Sequence, residues 1–255
     1  MSRFGRTTAR PGGKLVVERA RTALFEVRAL DRDVKLFNNH DLGEVRFGIG
    51  PIPAAVLLSE AVAALTPSHP NLSVRVRVDD PATLTERLYV ETIDFMVTVG
   101  SSVAPSSDLN IELLPSRQCG WFVRPDHPIF GKGRRRISML RELQMASVPA
   151  PEPVRESLRR LMQHKPFESA AFAVKCNSFH VLKELARDSD TVICGPFAAV
   201  RQELATGAPR NIDFKELKDF TTRFAIVSLA HRTLSPGAAK TIGTIVECER
   251  RLEDS

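Results

Sequence analysis

Between Glu44 and Val99 the hydrophobic period switches back and forth between two residues and about 3.6, and few folds accommodate that rhythm. Glu44 to Ile49 alternates polar and apolar before Gly50-Pro51, as a strand does. Pro53 to Leu65 places Val56, Leu57, Ala61, Ala64 and Leu65 at helical spacing, with Pro53 near the first turn where its missing N–H costs nothing. Leu72 to Val78 alternates again, and Ala82 to Val90 carries Leu84 and Leu88 four apart. Asp94 to Val99 is nearly continuous apolar chain, the pattern of a strand covered on both faces. The β-α-β-α-β order predicts an α/β unit with a parallel sheet.

A second set of elements follows. Strands are expected at Gly120 to Arg124, Ala146 to Val148, Ala171 to Cys176, Thr191 to Cys194 and Phe224 to Leu229. Helices are expected at Ile137 to Gln144, Val154 to His164 and Phe179 to Ala186. A last helix opens at Ser235, a favoured cap, with Pro236 at the first helical position.

The segment before Glu44 has a different character. Val16, Ala20, Ala23, Val27, Leu30, Val34 and Phe37 recur in steps of four and three. They form one apolar seam on a helix otherwise rich in charge, and such a helix needs a partner to be stable. Self-association through this seam is therefore expected. Arg6 to Lys14 is basic and interrupted by Pro11-Gly12-Gly13, too short for a domain of its own.

Composition narrows the function classes. No run of about 18 apolar residues indicates a membrane span, so no membrane partner is expected. The four cysteines show no CxxC spacing and read as reduced thiols of a cytoplasmic protein. The six histidines show no metal-ligand spacing, so neither metal nor cofactor is expected. A net charge of +6 suits a polyanion partner only modestly. The run Arg134-Arg135-Arg136 reads as a solvated loop. His127 lies in an Asp-His-Pro turn, and no serine sits in a nucleophile-elbow context, so no catalytic residues are expected.

FGRTTARPGGKLVVERARTALFEV resembles the last wing strand and linker helix of a LysR-type transcriptional regulator. GEVRFGIGP, LLSEAVAALTPSHPNLSVRVRVDD, LTERLYVETIDFMVTVG, WFVRPDHPIF and CNSFHVLKELARDSDTVICGPFAAV resemble successive pieces of that family's effector domain, in the family's order. The resemblance implies two Rossmann-like lobes joined by two crossovers, a periplasmic-binding-protein-like fold with a small effector between the lobes. It further implies a wing remnant at 1–15 and a dimerisation helix at 16–37. Lobe I would span 44–118, completed by about 225–253, and lobe II 119–224. Homodimers or homotetramers are expected. The recognition helix of the family is missing from this sequence, so DNA binding by the chain itself is expected to be weak and non-specific, specific binding belonging to the missing N-terminal domain. A solute-binding receptor of a transport system shares the fold and stands as the alternative.

Ligands in such folds gather beyond the carboxyl ends of parallel strands, at helix starts. The corners that qualify here place Ile52, Pro53, Thr83 and Ser101 on one wall and Pro149, Asn177, Ser178 and Phe179 on the other. The resembled family often offers Ser or Thr at the first of these corners and Gly followed by Ser or Thr at the second. This chain has Pro51-Ile52-Pro53 and Asp80-Pro81 instead. Prolines remove N–H donors, so a neutral or mixed-polarity effector is expected rather than a small dianion.

Overall fold

The computed structural model describes residues 43–149, 155–156, 172–214 and 220–253, together with Gly13 and Arg19. The seam from Val16 to Phe37, nearly all of the segment before it and most of the helix expected over 154–164 lie outside the described residues.

Strand β1 (Glu44–Ile49) runs parallel to β2 (Ser73–Val78) on one side and to β3 (Phe95–Val99) on the other. Their sequences already differ in the way their positions demand. The FMVTV run of β3 is buried from Phe95 to Thr98, whereas SVRVRV in β2 keeps Ser73, Arg75 and Arg77 exposed. Charged side chains on an edge strand discourage pairing with another chain.

Helix α1 (Pro51–Ser68) crosses from β1 to β2, starting two residues before the expected Pro53 because Pro51 itself takes the first helical position. Its composition is apolar enough to cross a membrane, with a mean hydropathy of 1.3. In the fold that apolar character serves the core: Val56, Leu57, Ala61 and Leu65 are buried, and Glu60 pairs with Arg201. Helix α2 (Pro81–Tyr89) crosses from β2 to β3 and buries Leu84 and Leu88. It lies directly on β1 because Gly48 has no side chain: a Cβ there would sit 2.6 Å from Leu84 Cδ2.

The largest departure from the sequence expectation is β4 (Leu109–Val123), fifteen residues long where only its end had been expected. Its first part pairs antiparallel with β9 (Thr221–Leu229), which in turn pairs with β3. Its last part pairs with β7 (Val192–Pro196) and β8 (Arg210–Asn211). The register shifts between Leu113 and Ser116, which lets Pro115 sit in the strand without leaving a broken ladder. In the second half of the molecule β5 (Met145–Ser147) runs parallel to both β6 (Phe172–Lys175) and β7. The strand order is β2-β1-β3-β9-β4-β7-β5-β6, with β8 on β4. Two α/β lobes thus share one continuous path of strands, the two-lobed architecture that the resemblance implies.

Helix α3 (Phe179–Asp188) covers the second lobe, a short α4 (Arg201–Ala205) follows β7, and α5 (Pro236–Glu253) returns to pack on α1, β1 and β4. Ser235 caps α5 as expected, its hydroxyl accepting from the Ala238 N–H at 3.2 Å. At the far end of α5 a buried ion pair joins it to β4. Arg117 Nε lies 2.6 Å from Glu249 Oε1, and its Nη2 donates to the Glu249 carbonyl at 2.8 Å. Arg117 is 7% exposed and Glu249 not at all.

Breaking a buried pair leaves an uncompensated charge in the interior. Arg117→Met is expected to lower stability by about 3 kcal/mol or more. The double change Arg117→Met with Glu249→Leu should recover most of that loss. Urea unfolding of the three proteins checks both; a single variant as stable as the parent would show that the pair is solvated.

Candidate ligand-binding cleft

The carboxyl ends of β1, β2, β3, β5 and β7 all turn toward one space between the lobes. A cavity of about 120 Å³ lies there. Gly50, Pro51, Ile52 and Pro53, at the turn from β1 into α1, form one wall with Asp80 and Pro81 at the start of α2. Thr98, Val99 and Ser102 extend that wall from the end of β3. The opposite wall is Ser147, Val148 and Pro149 after β5, Asn177 before α3, and Cys194, Gly195 and Pro196 of β7. Cys119 of β4 joins Phe220 and Thr222, at and just before the start of β9, where the lobes connect.

Ile52, Pro53, Pro149 and Asn177, expected from the sequence, are brought together here. Thr83, Ser101, Ser178 and Phe179 are not among the lining residues. Thr83 donates its N–H (3.0 Å) and its hydroxyl (2.7 Å) to Asp80. Ser101 is exposed, and its neighbour Ser102 lines the cavity. Ser178 caps α3, accepting from Val181 N–H at 3.4 Å. The Phe179 ring is buried under β7, where a Cβ on Gly195 would come within 2.6 Å of it. The glycine therefore lets β7 lie on the aromatic ring while its own backbone faces the cleft.

Among the lining residues that the sequence reading missed, Thr98, Cys119, Cys194 and Thr222 lie within strands. A polar residue inside the otherwise apolar run FMVTV was the only available signal for Thr98. Its side chain is buried, and its hydroxyl has no hydrogen-bond partner among the described residues. It sits next to the first corner, 3.5 Å from where a Cβ on Gly50 would lie. Cys119 and Cys194 occupy the same face of the β4–β7 ladder. Burial pushes the Cys119 thiol up to about 12. Burial also raises Cys194 well above the ordinary range, with Cys119 adding to the shift. Both are protonated at neutral pH and behave as small apolar groups rather than nucleophiles. His127, outside the cleft, is a turn residue as expected: its Nδ1 accepts from Ile129 N–H at 3.0 Å, and burial lowers its pKa.

Asp80 is the one charged residue lining the cavity among the described residues. Its Oδ1 accepts from the N–H groups of Ala82 and Thr83, both at 3.0 Å. Burial pushes this carboxyl up, but the hydrogen bonds from Thr83 and Ala82 outweigh burial and hold it below the usual carboxylate range. The N-terminus of α2, where an anion would otherwise bind, is thus already filled by the chain's own carboxylate.

Strands from two lobes aiming their ends at a shared cavity define a two-lobed α/β ligand-binding domain. The profile of the LysR substrate binding domain matches residues 38–247, and the chain belongs to that family, a transcriptional regulator of the LysR type. That membership decides between the two readings raised by the sequence, in favour of the regulator. The chain is 29% identical over 242 residues to the SDS degradation transcriptional activation protein of a Pseudomonas species, covering 94% of this chain and 78% of that protein. It is 23% identical to the HTH-type transcriptional regulator GbpR of Azospirillum brasilense, covering 91% and 68%. Among solved structures, a full-length OxyR variant from Pseudomonas aeruginosa superposes with a TM-score of 0.65 at 15% identity, covering 94% of this chain and 77% of that one. The regulatory domain of MexT, from the same organism, gives 0.64 at 15% identity, covering 82% and 100%. These likenesses establish the fold. LysR regulators bind small-molecule effectors and form oligomers.

The cap at Asp80 has a measurable signature. Asp80→Ala is expected to cost about 1 kcal/mol at neutral pH. A carboxyl lowered in the folded state stabilises the fold above its unfolded value and stops doing so as pH falls through the folded one. The gap between parent and variant should therefore close in acid, below the ordinary aspartate range near 3.9. Denaturant unfolding across that range checks the direction.

Proposed function

We propose that this chain senses an uncharged or mixed-polarity small molecule in the cleft between its lobes and transmits occupancy through self-association. The observation that carries the reading is the cavity built from both lobes at strand carboxyl ends. A ligand there touches α1, α2 and β3 on one side and β5, β7 and the approach to α3 on the other. It therefore favours one lobe arrangement over another to the extent of its differential contacts. Ile52, Pro53 and Pro149 supply apolar wall, and Asn177 supplies both a donor and an acceptor. The Pseudomonas relative is named for SDS degradation, so compounds with alkyl chains belong in a first screen beside common metabolites.

A thermal-shift screen of the purified chain is expected to yield stabilising compounds. Asn177→Ala and the cavity-filling change Val148→Phe should each weaken the best of them by at least about fivefold, the scale of a lost hydrogen bond or a blocked site. A hit indifferent to both changes would place the effector elsewhere.

The seam from Val16 to Phe37 is the proposed assembly element, pairing copies of the chain into dimers from which tetramers are built. Charges at Val27 and Leu30 would be buried unpaired in such a seam. Val27→Asp with Leu30→Asp is expected to lower the mass measured by light scattering by at least half. An unchanged mass would remove the seam from the assembly. Lobe boundaries of 44–118 with 225–253 for the first lobe and 119–224 for the second are part of the same proposal, supported on one side by β4, which changes partners from β9 to β7 near Cys119. For contacts of this chain with DNA, weak non-specific attraction to phosphate is proposed.

A further inference from the structure

The inner cavity does not stand alone. A second, larger space of about 610 Å³ opens beside it, and the two share Asp80, Pro81, Ser102 and Pro149. The two spaces adjoin at these residues and together could hold an elongated ligand along one channel, with Thr98 in its inner part and Tyr89 and Leu109 in its outer part. No Lys, Arg or His lines either part among the described residues. The one charge is the Asp80 carboxylate at the junction, already engaged by Ala82 and Thr83. The outer walls are largely apolar, with Val103, Pro105, Leu109 and a half-exposed Tyr89 among the residues lining them.

We infer that the ligand is an uncharged elongated amphiphile: an apolar chain of several carbons carrying one hydroxyl- or amide-type head. The inference rests on the sensing function proposed above and specifies what that cleft takes. The head belongs at Thr98. A hydroxyl buried without a partner is a standing cost to the fold, and a ligand that hydrogen-bonds to it relieves that cost on binding. The chain runs outward past Pro81 and Ser102 into the larger groove. An anionic head is disfavoured twice over: it meets no cation, and it must approach Asp80. A cationic head gains little, because both Asp80 oxygens already accept hydrogen bonds from the chain itself.

The test uses the purified 255-residue chain and straight-chain 1-alkanols from butanol to dodecanol, titrated by calorimetry. Alkyl sulfates and alkyltrimethylammonium ions of matching length, kept below their critical micelle concentrations, are the charged comparisons. Affinity for the alkanols is expected to rise about fourfold per added methylene until the groove is full. Each alkanol should bind at least about tenfold tighter than its charged counterparts. Thr98→Val removes the unpaired hydroxyl at nearly constant volume. It should raise the melting temperature of the free protein while weakening alkanol binding by about fivefold. Ala82→Glu, on the groove wall, should flatten the gain with chain length. Affinity independent of length would overturn the channel, and a sulfate or ammonium binding tightest would overturn the uncharged head. If alkanols fail while another compound binds in a manner sensitive to Asn177→Ala, the ligand class is wrong and the sensing function stands. If nothing binds, both fall.

Discussion

The antiparallel ladder between β4 and β9 is the constraint on which the rest of the molecule depends. β4 begins in the first lobe and ends in the second, changing partners from β9 to β7 near Cys119. Both lobes are therefore referred to one strand, and the cleft forms where its partners change. The ladder needs an anchor that resists sliding. Arg117 provides it, lying two residues before Cys119 and binding Glu249 and the backbone of α5 in the interior. A buried pair of this kind adds little net stability over an apolar substitute, but it is intolerant of misplacement, since either charge alone in the core is costly. It ties α5 to β4 beside the point where β4 changes partners.

The cleft's electrostatics follow from groups that the chain uses on itself. Helix starts ordinarily offer unpaired N–H groups to an anion. At α1 the donors are reduced by Pro51 and Pro53, and at α2 they are taken by Asp80. At α3 Ser178 accepts from one of them. What remains is an apolar space with isolated neutral polar groups, Thr98 and Asn177 among them, and two thiols that burial keeps protonated. Under the proposed sensing function, such a space would select by shape more than by charge.

The elements on which the resemblance rests were legible because each carries a local signal. The period of β1, the leucine pair of α2, the Ser235-Pro236 start of α5 and the apolar run of β3 are patterns within a few residues of chain. β4 was mostly illegible for the opposite reason. Its first ten residues mix Glu112, Pro115, Arg117 and Gln118 with scattered apolar positions, and they become a strand because β9 pairs with them from more than a hundred residues away. The cleft divides in the same way. Ile52, Pro53, Pro149 and Asn177 sit at corners that punctuation residues announce. Thr98, Cys119, Cys194 and Thr222 sit in strands, where nothing local says which side chain faces a cavity and which a neighbouring strand.

By itself the sequence determined the class of fold, the order of most elements, and the scarcity of donors at the first-lobe corners, since proline chemistry and hydrophobic period are properties of short stretches. Tertiary structure decided which polar side chains are spent on the fold and which are left facing the cleft. Thr83 and Ser178 look equally available in the sequence, yet both are occupied by caps. Thr98 looks like an ordinary strand residue, yet it alone of the three has a buried hydroxyl without a partner among the described residues. That distinction rests on distances across the chain, between helix starts and strand ends that only packing brings together.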